Sequence, residues 1–432
     1  MKIAYITAGA AGMYCGSCMH DNTLVATLID QGHDALLVPT YTPIRTDEVD
    51  VSSPEIFFGG VNVYLQQKMP LFRYTPWLFD RLLNSRWLLN WVSRFAAKTQ
   101  AEELGELTIS MLKGEHGYQR KELAKLVRWL KNDVKPDVIN LTNVLLSGMV
   151  HSLKEELGKP ILGTLQGDDI FLEALPETYR TEAMELIRQH CAEMDGFIST
   201  STYYADFMAD YFKIAREKIH VIYPGLNLKG HGEPRPERNG EPFTIGYFAR
   251  ICHEKGLHNL VEAFRILKEQ PGLPPCRLRV SGWLGDHNKS YFEDLKSRLK
   301  TWKLDHDFEH VDSPGLNDKI RFLRNVDVLS VPTTYLEPKG LYLLEAWANG
   351  IPVVQPRHGS FPELVEATGG GVLVEPGDPQ DLARGLRRLI DNPTERSEMG
   401  RRGQEVVRER FHADAMAMET LALYEKYLQT DG

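Results

Sequence analysis

The sequence has few features of a membrane, secreted or nucleic-acid-binding protein. No apolar run reaches the roughly 20 residues that cross a bilayer, and the N-terminal residues resemble a first strand rather than a signal peptide. A net charge of −9 argues against nucleic acid as the main partner. Five cysteines in 432 residues form no disulfide framework, and their odd number favours a reducing compartment. We therefore expect a cytoplasmic globular protein, whose oligomeric state the sequence does not indicate.

What the chain does contain is a regular alternation of short apolar runs with longer helical patterns. The predicted strands are 2–7, 34–40, 137–142, 160–165, 195–200, 220–225, 243–249, 278–283, 308–311, 327–333, 352–357 and 371–377. Most are continuously apolar, as in parallel strands covered on both faces. The alternation predicts an α/β protein built from doubly wound, Rossmann-like sheets.

A polar stretch rich in glycine and proline at 227–242 is typical of an inter-domain linker. It divides the chain into an N-terminal Rossmann-like domain, 1–228, and a C-terminal Rossmann-like domain, 229–405. Residues 406–432 are expected to contribute a C-terminal helix that packs back toward the first domain.

A mainly helical insertion at about 45–130 interrupts the first domain. It contains a predicted hairpin at 56–67 and a helix at 76–98 that carries three tryptophans and several basic residues. Aromatic side chains at helical spacing are mostly core residues. A lid over a binding site and a surface that contacts a membrane peripherally are the alternative interpretations.

The first βα loop, 7–22, is rich in glycine, which lets the backbone approach a phosphate. Gly16 is the candidate for this close approach, and a tight turn without a ligand is the alternative. The spacing is not the GxGxxG dinucleotide fingerprint. Cys15 and Cys18 form a CxxC in the same loop without a second pair for zinc, so a redox site is a further alternative.

Two glutamates, Glu337 and Glu345, flank a predicted helix start in the run 337–354. The helix should end at Gly350, with Pro352 beyond it. A helix N-terminus suits a phosphate because of its unpaired N–H groups and positive dipole end. Carboxylates on either side suit the hydroxyls of a sugar or a ribose. The pattern therefore predicts a nucleotide-sugar site.

Arg250 and Lys255 follow the first strand of the second domain, just before Gly256 and an amphipathic helix. The carboxyl ends of parallel strands border the crevice where open α/β sheets bind ligands. Two cations there could neutralise a diphosphate and stabilise it as a leaving group. The alternative is two solvated loop charges.

Several segments together resemble the retaining glycosyltransferases of family-four type, which have the GT-B fold. The run 337–354 resembles the family's E-x7-E signature, 246–257 its G-R…K-G segment, and 356–378 its G-x-PE…PGD stretch. Residues 221–227 and 15–39 are similar to its elements before the linker and at the N-terminus, and 60–68 is faintly similar to glycogen-synthase-like members. The resemblance covers nearly the whole chain outside 45–130 and implies two domains that face each other across a cleft.

The resemblance implies roles residue by residue. Arg250, Lys255 and Glu337 match the candidate catalytic residues: the two cations hold the donor diphosphate, and the carboxylate lies near the transferred sugar. The resemblance also implies the donor-binding residues. The helix-mouth residues Gly340, Leu341 and Tyr342 would approach the phosphate, Glu345 would bind the ribose, and Gly16 would contact the diphosphate from the other domain.

Two positions in 164–171 are candidate acceptor or sugar contacts. Gln166 stands where many members have a histidine, and glutamine can hydrogen-bond a hydroxyl but cannot shuttle a proton. Asp168, with Asp169, is expected to be a polar loop residue or an acceptor contact rather than a metal ligand. A second departure is Lys339, where the family often has an aromatic or apolar residue.

The implied reaction is metal-independent transfer of a hexosyl group from a nucleoside-diphosphate sugar to a hydroxyl acceptor, with retention of anomeric configuration and no cofactor. A sugar phosphorylase or sugar-phosphate synthase with the same fold is the nearest alternative. A non-catalytic nucleotide-sugar-binding protein is an alternative of a different class.

Overall fold

A computed structural model describes residues 1–9, 15–59, 63, 65–67, 101–233, 240–313 and 315–430, excluding the side chains of 101–103 and 430. The chain divides into two compact units, which we call unit 1 and unit 2. Unit 1 comprises Met1–Tyr223 and Met416–Gly432, and unit 2 comprises Pro224–Ala415. The fold is therefore two α/β units, each built around its own sheet, and one of them is discontinuous in sequence.

Unit 1 contains a six-stranded parallel sheet in the order β2-β1-β3-β4-β5-β6. The strands are β1 (Lys2–Thr7), β2 (Asp34–Pro39), β3 (Val138–Leu141), β4 (Ile161–Leu165), β5 (Gly196–Ser199) and β6 (Ile219–Val221). The strand order reverses direction at β1, which is a topological switch point, where open α/β sheets bind ligands. All six predicted strands of this half are confirmed.

Helices cover both faces of this sheet. They are α1 (Gly16–Asp30), α2 (Ala101–Leu112), α3 (Arg120–Trp129), α4 (Val150–Leu157), α5 (Asp168–Glu173), α6 (Glu177–Glu193) and α7 (Thr202–Phe212), joined later in the chain by α15 (Ala413–Thr430). Successive β1 side chains alternate between faces: Ala4 and Ile6 pack with α2–α7, and Ile3 and Tyr5 pack with α1 and α15. This two-sided burial explains why the strands are continuously apolar.

The insertion differs in part from its prediction. Residues 65–67 are helical, and Val63 N–H donates to Gly59 C=O at helical spacing, so the hairpin predicted at 56–67 is wrong where the structure describes it. The backbone there pairs within one helical turn rather than between two strands. The tryptophan-bearing helix predicted at 76–98 lies outside the described residues.

Unit 2 contains a second six-stranded parallel sheet, in the order β12-β11-β10-β7-β8-β9. Its strands are β7 (Phe243–Phe248), β8 (Cys276–Ser281), β9 (Phe308–Val311), β10 (Val328–Leu329), β11 (Val353–Pro356) and β12 (Gly371–Val374). The helices are α8 (Leu257–Lys268), α9 (Lys289–Thr301), α10 (Leu316–Arg324), α11 (Leu341–Ala348), α12 (Phe361–Thr368), α13 (Pro379–Asp391) and α14 (Pro393–Arg410). The predicted α/β class holds for both halves.

Strand β10 is shorter than the seven residues predicted for it. Ser330 N–H still donates to Gly246 C=O, but Val331 N–H donates to the side-chain oxygen of Gln355 instead of to a neighbouring strand. Pro332 then has no N–H to donate. The central strand therefore ends early and releases the chain into the loop that leads to Glu337.

The predicted C-terminal segment, 406–432, is divided between the last two helices. Residues 406–410 complete α14, and the final helix, α15, starts at Ala413 and belongs to unit 1 from Met416 onward. Its Met416, Ala417 and Tyr424 are buried in the core on the α1 side of the unit 1 sheet. None of the described helices is long and apolar enough to cross a membrane.

Trp347 of α11 ties that helix to its surroundings in unit 2. It is fully buried, its indole N–H donates to Gly370 C=O at 2.8 Å, and its ring leaves no room for a Cβ at Gly403. We expect Trp347→Ala to lower the free energy of unfolding by roughly 3–5 kcal/mol, because it leaves a large cavity and removes the indole hydrogen bond to the Gly370 carbonyl. Urea unfolding would measure this loss. Met418→Ala, at a 58% exposed position, is the control and should change little; equal effects of the two variants would contradict this account.

Candidate functional site

The loop after β7 carries Lys255 into the interior of unit 2. A short 3₁₀ helix, His253–Lys255, ends at Gly256, whose φ of +71° is left-handed. A Cβ at this position would lie 1.7 Å from the carbonyl oxygen of Pro332, so only glycine fits. Thr334 N–H also donates to Glu254 C=O at 2.9 Å. The loop is therefore held directly against the segment that leads to Glu337.

Lys255 and Glu337 form a buried ion pair. Lys255 Nζ lies 2.7 Å from Glu337 Oε2, with side-chain exposures of 11% and 6%. Tyr335 Oη accepts from Lys255 Nζ at 2.5 Å and donates to Glu337 Oε2 at 2.6 Å, and Tyr342 Oη donates to the same oxygen at 3.0 Å. These four side chains, Lys255, Tyr335, Glu337 and Tyr342, are called the Lys–Glu cluster below.

The two tyrosine rings also face the lysine cation. Lys255 Nζ lies 4.9 Å from the ring centroid of Tyr335 and 5.1 Å from that of Tyr342. Cation–π contacts at these distances stabilise an ammonium group that has lost much of its hydration. The tyrosines therefore support both members of the pair: the hydroxyls bind the carboxylate, and the rings contact the cation.

The cluster keeps Glu337 ionised. Burial by itself would raise the pKa of this carboxyl, but the charge of Lys255 and the hydrogen bonds from Lys255, Tyr335 and Tyr342 lower the pKa to about 2. With three donors on Oε2, the carboxylate is a fixed hydrogen-bond acceptor. A group with so low a pKa is poorly matched to general-base chemistry near neutrality.

Arg250 lies next to the Lys–Glu cluster and is exposed. Its backbone carbonyl accepts from Tyr247 Oη at 2.9 Å, which fixes the loop. Burial and the charge of Glu337 raise the pKa of Tyr335, and the positive charge of Arg250 opposes that rise. The structure therefore places the two predicted cations on one loop, one inside the cluster and the other near it at the surface.

Helix α11 begins four residues after Glu337 and contributes Tyr342 to the cluster. Gly340 is its N-cap, with a φ of +64°, and Leu341 and Tyr342 are its first residues. Gly340 N–H lies 3.5 Å from Glu337 Oε1, at the outer limit of a hydrogen bond. The opening amides of a helix have no acceptors within the helix and attract anions. The predicted helix mouth is thus adjacent to the predicted carboxylate.

A second loop supports Glu337 from the side of β11. Ser360 N–H donates to Glu337 C=O at 2.8 Å, and a Cβ at Gly359 would lie 2.6 Å from Glu337 N. The backbone at the start of the segment 356–378, which resembles a family motif, therefore packs directly against Glu337.

Glu345, one turn into α11, forms a different ion pair. Its Oε1 lies 2.6 Å from Lys319 Nζ of α10, and the two side chains are 5% and 4% exposed. Asn349 Nδ2 donates to the backbone carbonyl of Glu345 at 2.8 Å. Lys319 was not predicted as a site residue. The sequence did contain an indication that Lys319 is buried. Lys319, Phe322 and Leu323 stand at i, i+3 and i+4, and such residues share one face of a helix.

Unit 1 holds the remaining predicted residues. Gly16 is the exposed first residue of α1, next to residues outside the described part of the chain. Gln166, at the end of β4, is buried, and its amide nitrogen donates to Asp21 Oδ1 at 3.1 Å and to the Thr142 carbonyl at 2.9 Å. Asp21 is fully buried and also accepts from Tyr5 and Thr7. Asp21 was missed because one aspartate inside a helix has no sequence signal.

Asp168 is buried at the start of α5, and its carboxylate accepts from two backbone amides, Val144 N–H at 2.8 Å and Gln166 N–H at 3.0 Å. Burial raises its pKa to about 6 despite these hydrogen bonds. Asp169 accepts from Tyr204 Oη at 2.6 Å. In the structure, Asp168 thus fixes the backbone around Gln166.

Two family models match this chain. The model for glycosyl transferases group 1 matches residues 233–406, and the model for glycosyltransferase family 4 matches residues 108–229. The first covers the Lys–Glu cluster and the Lys319–Glu345 pair, and the second covers β3 to β6. Each half of the chain thus matches a glycosyltransferase model, of group 1 or of family four, in agreement with its motifs.

Relatives agree with this assignment. An uncharacterized glycosyltransferase, MJ1607 of Methanocaldococcus jannaschii, is 23% identical over 457 residues, covering 100% of both chains. The MMP α-(1→4)-mannosyltransferase of Mycolicibacterium hassiacum is 37% identical over 251 residues, covering 56% of this chain and 57% of that protein. The mannosyltransferase, which has the higher identity of the two, thus aligns with this chain over only about half of its own length.

Solved structures show the same fold. Sucrose-phosphate synthase from Thermosynechococcus elongatus superposes with a TM-score of 0.72 at 17% identity, covering 100% of each chain. Anabaena Alr3699/HepE in complex with UDP gives a TM-score of 0.69 at 17% identity, covering 99% of this chain and 100% of that chain. The protein therefore has the GT-B fold of these glycosyltransferases.

The lowered pKa of Glu337 predicts a contribution to acid stability. Because its folded pKa of about 2 lies below the ordinary value of 4.5, its ionisation stabilises the fold fully above about pH 4.5. That contribution, on the order of 3 kcal/mol, is lost as the pH falls toward 2. Glu337→Gln should therefore flatten the decline of unfolding free energy between pH 5 and 3. Urea titrations at several pH values would measure it, with Glu366→Gln, at an exposed position, as control. A slope unchanged from wild type would contradict the lowered pKa.

Proposed function

We propose that this glycosyltransferase moves a hexosyl group from a nucleoside-diphosphate sugar to a hydroxyl acceptor with retention of anomeric configuration. The observation that carries the proposal is the Lys–Glu cluster: a buried cation and an ionised carboxylate fixed at the mouth of α11. A cation and helix amides suit a diphosphate, and a carboxylate suits sugar hydroxyls.

Lys255 can donate hydrogen bonds to both the Glu337 carboxylate and a phosphate. Its ammonium group has three N–H donors, and Glu337 and Tyr335 accept two of them. We propose that the third donates to the donor diphosphate, together with Arg250 and the amides of Gly340, Leu341 and Tyr342. These positive groups would stabilise the charge that develops on the departing phosphate. Structures of HepE in complex with UDP and with UDP-glucose support a ligand of this class.

Glu337 is proposed to orient the sugar rather than to attack it. Its Oε2 receives three hydrogen bonds and its pKa is about 2, so it is a weak base and a weak nucleophile. Retention then proceeds on one face of the sugar: the bond from the anomeric carbon to the phosphate oxygen breaks, and the bond to the acceptor oxygen forms. The acceptor proton passes to the departing phosphate, so no enzyme base is required.

We also propose roles for the other predicted site residues. Glu345 would accept hydrogen bonds from the ribose, Gly16 would contact the donor, and Gln166 and Asp168 would contact the acceptor or the sugar. The reaction needs no divalent metal, because protein cations and amides provide the positive charge. A cytoplasmic location is proposed from cysteine usage, and none of the five cysteines is in a disulfide.

Donor hydrolysis tests the reaction without knowledge of the acceptor, since water can replace it. The protein would be incubated with α-linked UDP-, GDP- and ADP-hexoses, with and without EDTA, and the released hexose followed by proton NMR. We expect the α-anomer to appear first for the preferred donor, at the same rate in EDTA. Initial release of the β-anomer would overturn retention, and loss of activity in EDTA would overturn metal independence.

Substitutions test the site itself. Lys255→Met and Glu337→Gln should each lower turnover of the preferred donor by roughly 10²-fold or more, because each removes charge stabilisation or sugar orientation in a buried site. The matched control is Lys289→Met, whose side chain is 64% exposed and should retain wild-type turnover. Circular dichroism would verify folding. Near-normal turnover by both site variants would defeat the assignment.

A further inference from the structure

Lys319 is a buried lysine that neither the sequence motifs nor the proposed reaction explains. It lies on α10, is 3% exposed, and shares its helix with the buried Ile320, Phe322 and Leu323. A buried ammonium group is costly unless it is paired. Its Nζ lies 2.6 Å from Glu345 Oε1, which provides that pairing. A buried lysine at this position therefore has its effect through Glu345.

The pair fixes the orientation of the Glu345 carboxylate. The carboxyl plane of a glutamate rotates readily about its last torsion angle. A short charge-assisted contact through Oε1 restricts that rotation and so sets the direction of Oε2. Asn349 Nδ2, which donates to the Glu345 backbone carbonyl, steadies the same turn of α11. Lys319 thus holds the carboxylate, and Asn349 holds the backbone of the same residue.

In this pair Glu345 is the carboxylate partner of a lysine ammonium group. An ionised carboxylate is only an acceptor, whereas a protonated one would carry an O–H donor. Adjacent hydroxyls of a ribose can both donate to an ionised carboxylate. A carboxylate held in one orientation distinguishes a sugar that has both hydroxyls from one that lacks one of them, because the missing donor leaves a buried acceptor without its partner.

We propose that Lys319 is a specificity-determining residue: by positioning Glu345, it makes the donor site select ribonucleoside over deoxyribonucleoside diphosphates. This inference rests on the proposed function, in which Glu345 faces the ribose. It goes further by assigning the selection to a Lys–Glu pair rather than to the glutamate alone.

Calorimetric binding of UDP, GDP and ADP, each compared with its 2′-deoxy form, tests the inference. For the diphosphate that binds best, we expect the wild type to prefer the ribose form by roughly tenfold or more, as for a hydrogen bond to a charged group. Lys319→Met should bring this ratio close to one. Arg321→Met, at a position on the same helix with a 75% exposed side chain, should keep the wild-type ratio. The ratio is the informative quantity, because a merely structural defect would weaken both nucleotides together.

The outcomes separate the two levels of the proposal. If none of the diphosphates binds the wild type, or if the wild-type ratio is near one, the ribose role of Glu345 in the proposed function fails. If wild type discriminates and folded Lys319→Met discriminates equally, the inference about Lys319 is overturned.

Lys319→Met leaves a buried carboxylate without its cation and can fail to fold for that reason alone. Lys319→Gln keeps an N–H donor beside the carboxylate but removes the charge, and it supplies the fallback. Its ratio should lie between the wild-type ratio and one, and a wild-type ratio in folded Lys319→Gln would overturn the inference.

Discussion

The ion pair between Lys255 and Glu337 is the interaction on which the site in unit 2 depends. Two charges at this depth are stable only when each is paired and hydrogen-bonded. That requirement brings together the loop after β7, which carries Lys255, and the loop after β10, which carries Tyr335 and Glu337. The close approach of Gly256 to Pro332 and the early end of β10 are the backbone conditions that make the pairing possible.

The same chemistry occurs twice around α11. The glutamate of one Lys–Glu pair lies before the helix, and the glutamate of the other lies one turn inside it. Both glutamates belong to the E-x7-E run, and each lysine comes from a different element. Their surroundings differ. Tyr335 and Tyr342 complete the first pair with hydroxyls and ring faces, whereas the lysine of the second pair belongs to α10, whose Ile320, Phe322 and Leu323 are also buried. The two glutamates are thus fixed acceptors, one just before α11 and one within it, and each has its own lysine partner.

Much of this arrangement was predictable from sequence because it depends on periodicity and on short motifs. Most of the twelve strands were recognisable as continuous apolar runs, and Lys255, Glu337 and Glu345 lay in segments with specific spacing. Tertiary partners were not predictable. Tyr335 is one tyrosine in a loop, and Asp21 is one polar residue within a helix. The helical spacing of Lys319 indicated burial but not that its partner is Glu345. Burial selects these residues, and burial depends on contacts far apart in sequence. The hairpin predicted at 56–67 was wrong because a short apolar run does not by itself distinguish a strand from a helical turn.

The discontinuity of unit 1 affects how the chain is made. The face of its sheet formed by Ile3, Tyr5 and α1 is completed by Met416, Ala417 and Tyr424 of α15, yet the whole of unit 2 is synthesised between the two parts. During translation that apolar face emerges from the ribosome long before its covering helix does. Unit 2, which is continuous, can acquire its core first, while unit 1 stays incomplete and exposed to aggregation. Nascent-chain folding of this protein should therefore finish with its earliest-made strands.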